Sequence, residues 1–132
     1  MAGRRLSLLI DDPVPASVAA VLSARGHEVH FVGDLLPADA SDALVALLAV
    51  ERGWTLVTWN DPGARSADRA DLDRIDFRGD ESHARRLAER HLPQIEAAHN
   101  RAGGRPGWLE VVERSELLVR AADRLTPPKR RS

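Results

Sequence analysis

Residues 6–32 read LSLLIDDPVPASVAAVLSARGHEVHFV, and the fold class turns on this stretch. Leu6 to Ile10 is a nearly continuous apolar run, the pattern of a strand buried on both faces in a parallel sheet. It stops abruptly at Asp11 and Asp12. Val14, Val18, Val21 and Leu22 then recur at helical spacing, with Asp12 placed to cap, Pro13 suited to the first turn and Gly26 suited to the stop. Glu28 to Val32 is rich in β-branched and aromatic residues and follows directly. A second strand parallel to the first is the economical connection.

Downstream the same alternation continues. After a loop through Gly33 and Pro37, Ser41 or Asp42 can cap a helix with Leu44, Val45, Leu47 and Leu48 as its buried stripe, closed by Gly53. Trp54 to Thr58 reads as a third strand. Trp59 to Asp71 lacks apolar periodicity and reads as a long surface loop. Arg74 to Arg78 alternates around Ile75 and Phe77 as a short strand would, and Asp80 caps a helix carrying Leu87, Ala88, Leu92 and Ile95. Pro93 should kink that helix or divide it, because proline removes a backbone donor and clashes with the preceding turn. Trp108 to Glu113 and Glu116 to Arg120 read as strands joined by a tight turn at Arg114 and Ser115, the second alternatively as a short helix.

The expected architecture is α/β, a three-layer αβα sandwich with a mostly parallel central sheet. Residues 1–125 form its single domain and 126–132 a disordered, basic, proline-rich tail. One core suffices for 132 residues. A chain without cysteine has neither disulfides nor thiolate metal sites, which suits the cytoplasm. The run Leu6 to Ile10 is too short for a signal-peptide core, and no apolar run approaches a membrane span. Formal net charge is −1, so no global basic excess draws the chain to nucleic acid, and any such contact must be local.

If the first three strands are parallel, Asp11 and Asp12 lie just past the carboxyl end of the first, and Asn60 and Asp61 just past the third. Asp42 opens the helix whose amino end returns to the same edge. Ligands bind at that edge in open α/β sheets. Crowded carboxylates repel one another and raise each other's pKa unless a cation lies among them, and oxygen ligands favour Mg²⁺ or Mn²⁺. Each residue also has a plainer explanation. Asp12 and Asp42 are good caps, and Asn60 and Asp61 are favoured turn residues; only Asp11, ending a buried strand, lacks one. Histidines 27, 30, 83, 91 and 99 form no HExxH motif and are expected at the surface. No GxGxxG, GxSxG or phosphate-loop signature occurs.

The opening stretch, the segment ASDALVALLAVERGWTLVTWND (residues 40–61) and WLEVVERSELLVR (residues 108–120) together resemble the small PIN-like proteins related to toxin–antitoxin ribonucleases. Members of that family read Leu-Leu-Asp-Glu-Asn, then Ser-Asp-Glu, then Val-Thr-x-Asp-x-Asp-Phe. The resemblance implies a metal-dependent ribonuclease with Asp11 and Asp42 as metal-binding carboxylates and Asn60 in the place of a third. It further implies catalysis by Asp11 and Asp42, RNA as substrate, an antitoxin protein as partner and a homodimer, with Asp61 as the chain's own candidate for the third catalytic and metal-binding acid beside Asn60. Asn60 is neutral, and Pro62 stands where a further acid is expected. The charge is regained only if Asp61 turns inward, which requires the backbone there to be turning already.

Two other readings compete. A PIN-like scaffold that has lost catalysis would serve as a binding or oligomerisation module, with Arg65, Arg69, Arg74 and Arg78 lining a phosphate-facing edge or a solvated surface. A receiver-like phosphoacceptor domain also opens with an acidic pair after its first strand. Its phosphoryl-binding lysine has no counterpart here except Lys129 in the tail.

Overall fold

The computed structural model describes residues 5–61 and 71–113, and the backbone of 118–122. Residues 62–70 of the expected long loop, the turn at Arg114 and Ser115 and the tail from Thr126 lie outside the described residues. The strands are β1 (Ser7–Ile10), β2 (Glu28–Phe31), β3 (Thr55–Trp59), β4 (Arg74–Arg78), β5 (Trp108–Val112) and β6 (Leu118–Ala122). They form one sheet in the order β2-β1-β3-β4-β5-β6. The first five are parallel, and β6 returns antiparallel along β5.

Helices cover both faces of the parallel strands, giving a three-layer αβα sandwich. Helices α1 (Ala16–Ala24) and α4 (Ala84–Arg101) lie on one face, packed on Leu8, Ile10, Val57, Ile75, Phe77, Leu109 and Val111. The one-turn helix α2 (Val32–Leu35) and α3 (Asp42–Arg52) lie on the other, over Leu9 and Leu56. Alternate residues of each strand thus feed opposite cores. A fully buried side chain such as Ile75 or Phe77 contributes about 1.5–3 kcal/mol.

Strand order and helix placement together define the hand of each crossover. The step β1 to β2 runs toward one edge of the sheet with α1 on the first face. The step β2 to β3 runs the other way with α3 on the second face, so these two crossovers share a hand. The step β4 to β5 runs in the same direction as β2 to β3, yet α4 packs beside α1 on the first face. Its crossover therefore has the opposite hand, so the sheet does not keep the strong right-handed preference of such units throughout. A receiver-like sheet wound with one hand throughout would carry this helix on the other face.

One consequence is a polar patch on the α3-side face of β4 and β5. Arg74 and Asp76 are each only 2% exposed there, and the Arg74 guanidinium lies 4.2 Å from the Trp108 ring centroid and 3.4 Å from Asp76. Thr58 and the Trp108 indole also donate to Asp76. Arg74 is therefore a core residue and not part of a phosphate-facing edge. Arg78 is half-buried and paired with Glu110 at 3.2 Å.

Other expectations are corrected by packing. Helix α1 starts at Ala16 with Pro15 at its cap position, so neither does Asp12 cap it nor does Pro13 lie in its first turn. The segment after β2 contains α2. On α3 the buried residues are Val45, Ala46 and Ala49, whereas Leu44 and Leu47 are each 40% exposed. The small alanines face the sheet, and the stripe is rotated accordingly. Helix α4 continues through Pro93 without a break. Pro93 is exposed, so the carbonyl it leaves without an amide partner faces the solvent side.

Three of the histidines are buried, not superficial. Nδ1 of His27 accepts the Leu6 amide at 3.1 Å, so its proton sits on Nε2 and is donated to Glu96 at 2.7 Å. His99 has the other tautomer, with Nδ1 donating to Ile95 O at 3.0 Å and Nε2 accepting from Thr55 at 3.2 Å. Nδ1 of His91 meets Gln94 Oε1 at 2.9 Å, and its buried Nε2 has no hydrogen-bond partner. These rings tie α4 to the sheet and stabilise the helix's own turns.

Candidate functional site

The chain leaves β1 toward one edge of the sheet and leaves β3 toward the other, so the crevice at their carboxyl ends is a topological switch point, where open α/β sheets bind ligands. Asp11 is held there from three directions. Its amide donates to Val57 O at 3.0 Å, its carbonyl accepts from Val14 at 3.1 Å, and its Oδ1 accepts the Asp12 amide at 2.9 Å. The side chain is half-buried. Burial raises the Asp11 pKa, the Asp12 amide lowers it, and the fields of Asp61, Asp12 and Asp42 raise it further, leaving a net increase. Three chain segments thus bring carboxylates to bear on Asp11.

Asp42 occupies the first turn of α3, but the cap is Ser41, whose hydroxyl accepts the Leu44 amide at 3.1 Å. Capping does not account for Asp42. Asp12 abuts α2: a Cβ added at Gly33 would stand 3.3 Å from Asp12 Oδ1.

Asn60 has φ 45°, in the left-handed region that asparagine tolerates better than most residues. The backbone turn required for Asp61 to substitute for it is therefore present. The Asn60 amide is engaged elsewhere, with Nδ2 donating to Gly79 O at 2.7 Å and Oδ1 accepting from Gly79 N at 2.9 Å. An aspartate could not donate to that carbonyl. Neutrality at position 60 thus serves to clasp the ends of β3 and β4 together.

The edge continues with residues that motif reading did not single out for function. Past β4, Asp80 accepts from Ser82 N at 3.0 Å and starts the 3₁₀ turn Glu81–His83 that leads into α4. Past β5, Glu113 accepts the Asp80 amide at 2.7 Å and pairs with Nδ1 of His83. These two contacts, the Asp80 amide first, hold the Glu113 pKa below the usual carboxylate range. The signal for this half was present in the sequence, as an acid soon after each of β1, β3, β4 and β5. Pairing Glu113 with His83 required the sheet.

The donors around Asp11 are all oxygens, which suits a hard cation. Among the described residues, no three Asp, Glu or His side chains stand where they could jointly hold a metal ion. One or two carboxylates with water are the usual protein share of a Mg²⁺ site, so the donor set remains compatible with that ion. A cleft of about 560 Å³ opens between α1 and α4, lined by residues including Val21, Arg25, Arg85 and Leu92, and none of these carboxylates lines it. Among the described residues, no helix is long and apolar enough to cross a membrane. No family model, curated protein or solved structure matches the chain.

Proposed function

We propose that the protein is a Mg²⁺- or Mn²⁺-dependent phosphodiesterase of the PIN-like kind, cleaving RNA as the ribonuclease of a toxin–antitoxin pair. The observation that carries this reading is the placement of Asp11 at the β1/β3 switch point, within the fields of Asp61, Asp12 and Asp42. A fold that half-buries a carboxylate among others forgoes stability at that point, and such sites are commonly functional. Asp11, joined by one of Asp42 and Asp61 and completed by water, would hold the ion. When bound, it lowers the pKa of a water and offsets charge on a scissile phosphate. The Asn60–Gly79 clasp keeps the end of β3 in place, so that Asp61 leaves it in a defined direction.

A second reading, a binding module on the same scaffold without catalysis, is favoured by the commitment of the Asn60 amide to Gly79 and by the absence of a ready three-residue ligand set among the described residues. Calorimetric titration of Mn²⁺ into the native protein and into folded Asp11→Asn and Asp42→Asn variants separates the two. Binding that weakens in both variants supports the nuclease and justifies screening RNA substrates. A native protein that takes up no Mn²⁺ sinks it and leaves the binding module. Weakening in Asp11→Asn alone would make Asp11 the ion's carboxylate and leave Asp42 outside the site.

A further inference from the structure

The large hydrophobic side chains exposed among the described residues are Phe31, Leu35, Leu44 and Leu47, and all four fall within one short stretch of chain. Phe31 ends β2, the edge strand of the sheet, and Leu35 lies on α2. Leu44 and Leu47 are three residues apart and so share a face of α3. Helices α2 and α3 share one core through Val32, Val45 and Ala46, which makes the elements carrying these side chains neighbours.

The charge around them is one-sided. Between Arg25 and Arg52 the sequence contains no lysine or arginine, but it contains Glu28, Asp34, Asp39, Asp42 and Glu51. Of the flanking cations, Arg25 pairs with Glu96 on α4, and Arg52, in the last turn of α3 beyond Leu44 and Leu47, lies over the Trp54 ring. Asp12 adds a further carboxylate beside α2. In a chain whose acids and bases are nearly equal in number, this segregation sets an apolar surface within a predominantly acidic segment, where His30 pairs with Glu28 and leaves Asp34, Asp39 and Asp42 as the acids beside the leucines.

We infer that the face formed by the end of β2, α2 and α3 docks a basic amphipathic helix of another protein, with its apolar side on Leu35, Leu44 and Leu47 and its Lys or Arg residues toward Asp34, Asp39 and Asp42. Aliphatic side chains spaced as on α3 suit helix-on-helix recognition. A second copy of this chain would instead set acid against acid, which opposes self-association through the same face. A partner seated there lies beside Asp12 and Asp42 and would restrict access to the switch-point crevice. The inference does not depend on whether that crevice binds a metal.

The test uses a fluorescently labelled synthetic helix with leucines on one face and arginines on the other, titrated with the full chain at physiological salt and followed by anisotropy. The native protein should bind saturably. Leu44→Ser/Leu47→Ser should bind about tenfold more weakly, as expected for loss of central apolar contacts. Asp34→Asn/Asp39→Asn should also weaken binding, and Arg85→Ala, on the α1–α4 face, should not. All of these substitutions are at exposed positions, and circular dichroism checks that each variant is folded. Absence of saturable binding, or binding indifferent to both patch variants, overturns the inference. So does sedimentation showing a dimer that Leu44→Ser/Leu47→Ser dissociates, because the face would then belong to a second copy.

Discussion

The two halves of the sheet's carboxyl edge contain the same kinds of residue in opposite electrostatic condition. At the β1/β3 end, the Asp11 pKa is raised by burial and by the fields of Asp61, Asp12 and Asp42. At the β4/β5 end, Glu113 is satisfied by the Asp80 amide and His83, Asp80 by Ser82, and the Asn60 amide by Gly79. The pKa values of Asp80 and Glu113 are correspondingly lowered. Carboxylates that form such bonds stabilise the fold, whereas one half-buried within the fields of others weakens it. The proposed function sits at the first half, and the bonded second half supports it.

The largest test of this contrast is on metal affinity. Asp11→Asn should lower Mn²⁺ affinity by on the order of a hundredfold, and Glu113→Gln should leave it within a few-fold, by calorimetry. Comparable losses in both variants would mean that the two halves form one site.

Next in size is Gly79→Ala. Its new Cβ would stand 2.6 Å from Glu113 Oε1 and 2.9 Å from Glu113 Cβ, closer than atoms pack. Either Glu113 or the backbone must move, at a cost of about 1–3 kcal/mol, readable from urea denaturation. A neutral result would show that the clasped half is looser than its hydrogen bonds imply.

Asn60→Asp should cost roughly 1 kcal/mol, because the donor to Gly79 O is lost and a carboxylate replaces it. It also adds charge beside Asp61, so a variant that binds Mn²⁺ more tightly while unfolding at lower urea would move position 60 from support to ligation.

A smaller effect with the opposite sign is expected for Asp11→Asn on stability. The folded pKa of Asp11 is raised, so its contribution is most favourable below the unfolded carboxylate value of about 3.9 and is lost as pH rises through the folded value. The variant should therefore melt a few degrees higher than the native protein at pH 7. The difference should vanish under acid, and a lower melting temperature at neutral pH would contradict the assignment of Asp11 to the repulsive half.

Glu113→Gln should change stability least. The folded pKa of Glu113 is lowered, so its contribution is present above the unfolded value of about 4.3 and lost as pH falls through the folded one. Native and variant melting curves should converge in acid and separate at neutral pH with the variant less stable. Separation in acid instead would reverse the sign.

Much of this contrast was legible before the structure. The strand ends at Asp11 and Asn60–Asp61 follow from apolar runs that stop, and Asp42 follows from the start of a periodic helix. Asn60 was misleading because its residue type was readable but its partner was not: Gly79 is 19 residues away and meets it only once β3 and β4 pair. Arg74 looked superficial for a similar reason. Its burial depends on Trp108, in the next strand of the sheet.

Sequence alone determined the order and type of the main elements, the parallel character of the first three strands and the convergence of acids at one edge. All of these follow from local periodicity and from the geometry of strand–helix units, which neighbouring residues impose on one another. Tertiary structure alone decided the placement of α4 beside α1, the turn of α3 that leaves Leu44 and Leu47 in solvent, and the pairing of Glu113 with Asp80 and His83. Those depend on contacts between residues far apart in the chain, where the free energy of packing a whole face outweighs the preference of any one residue.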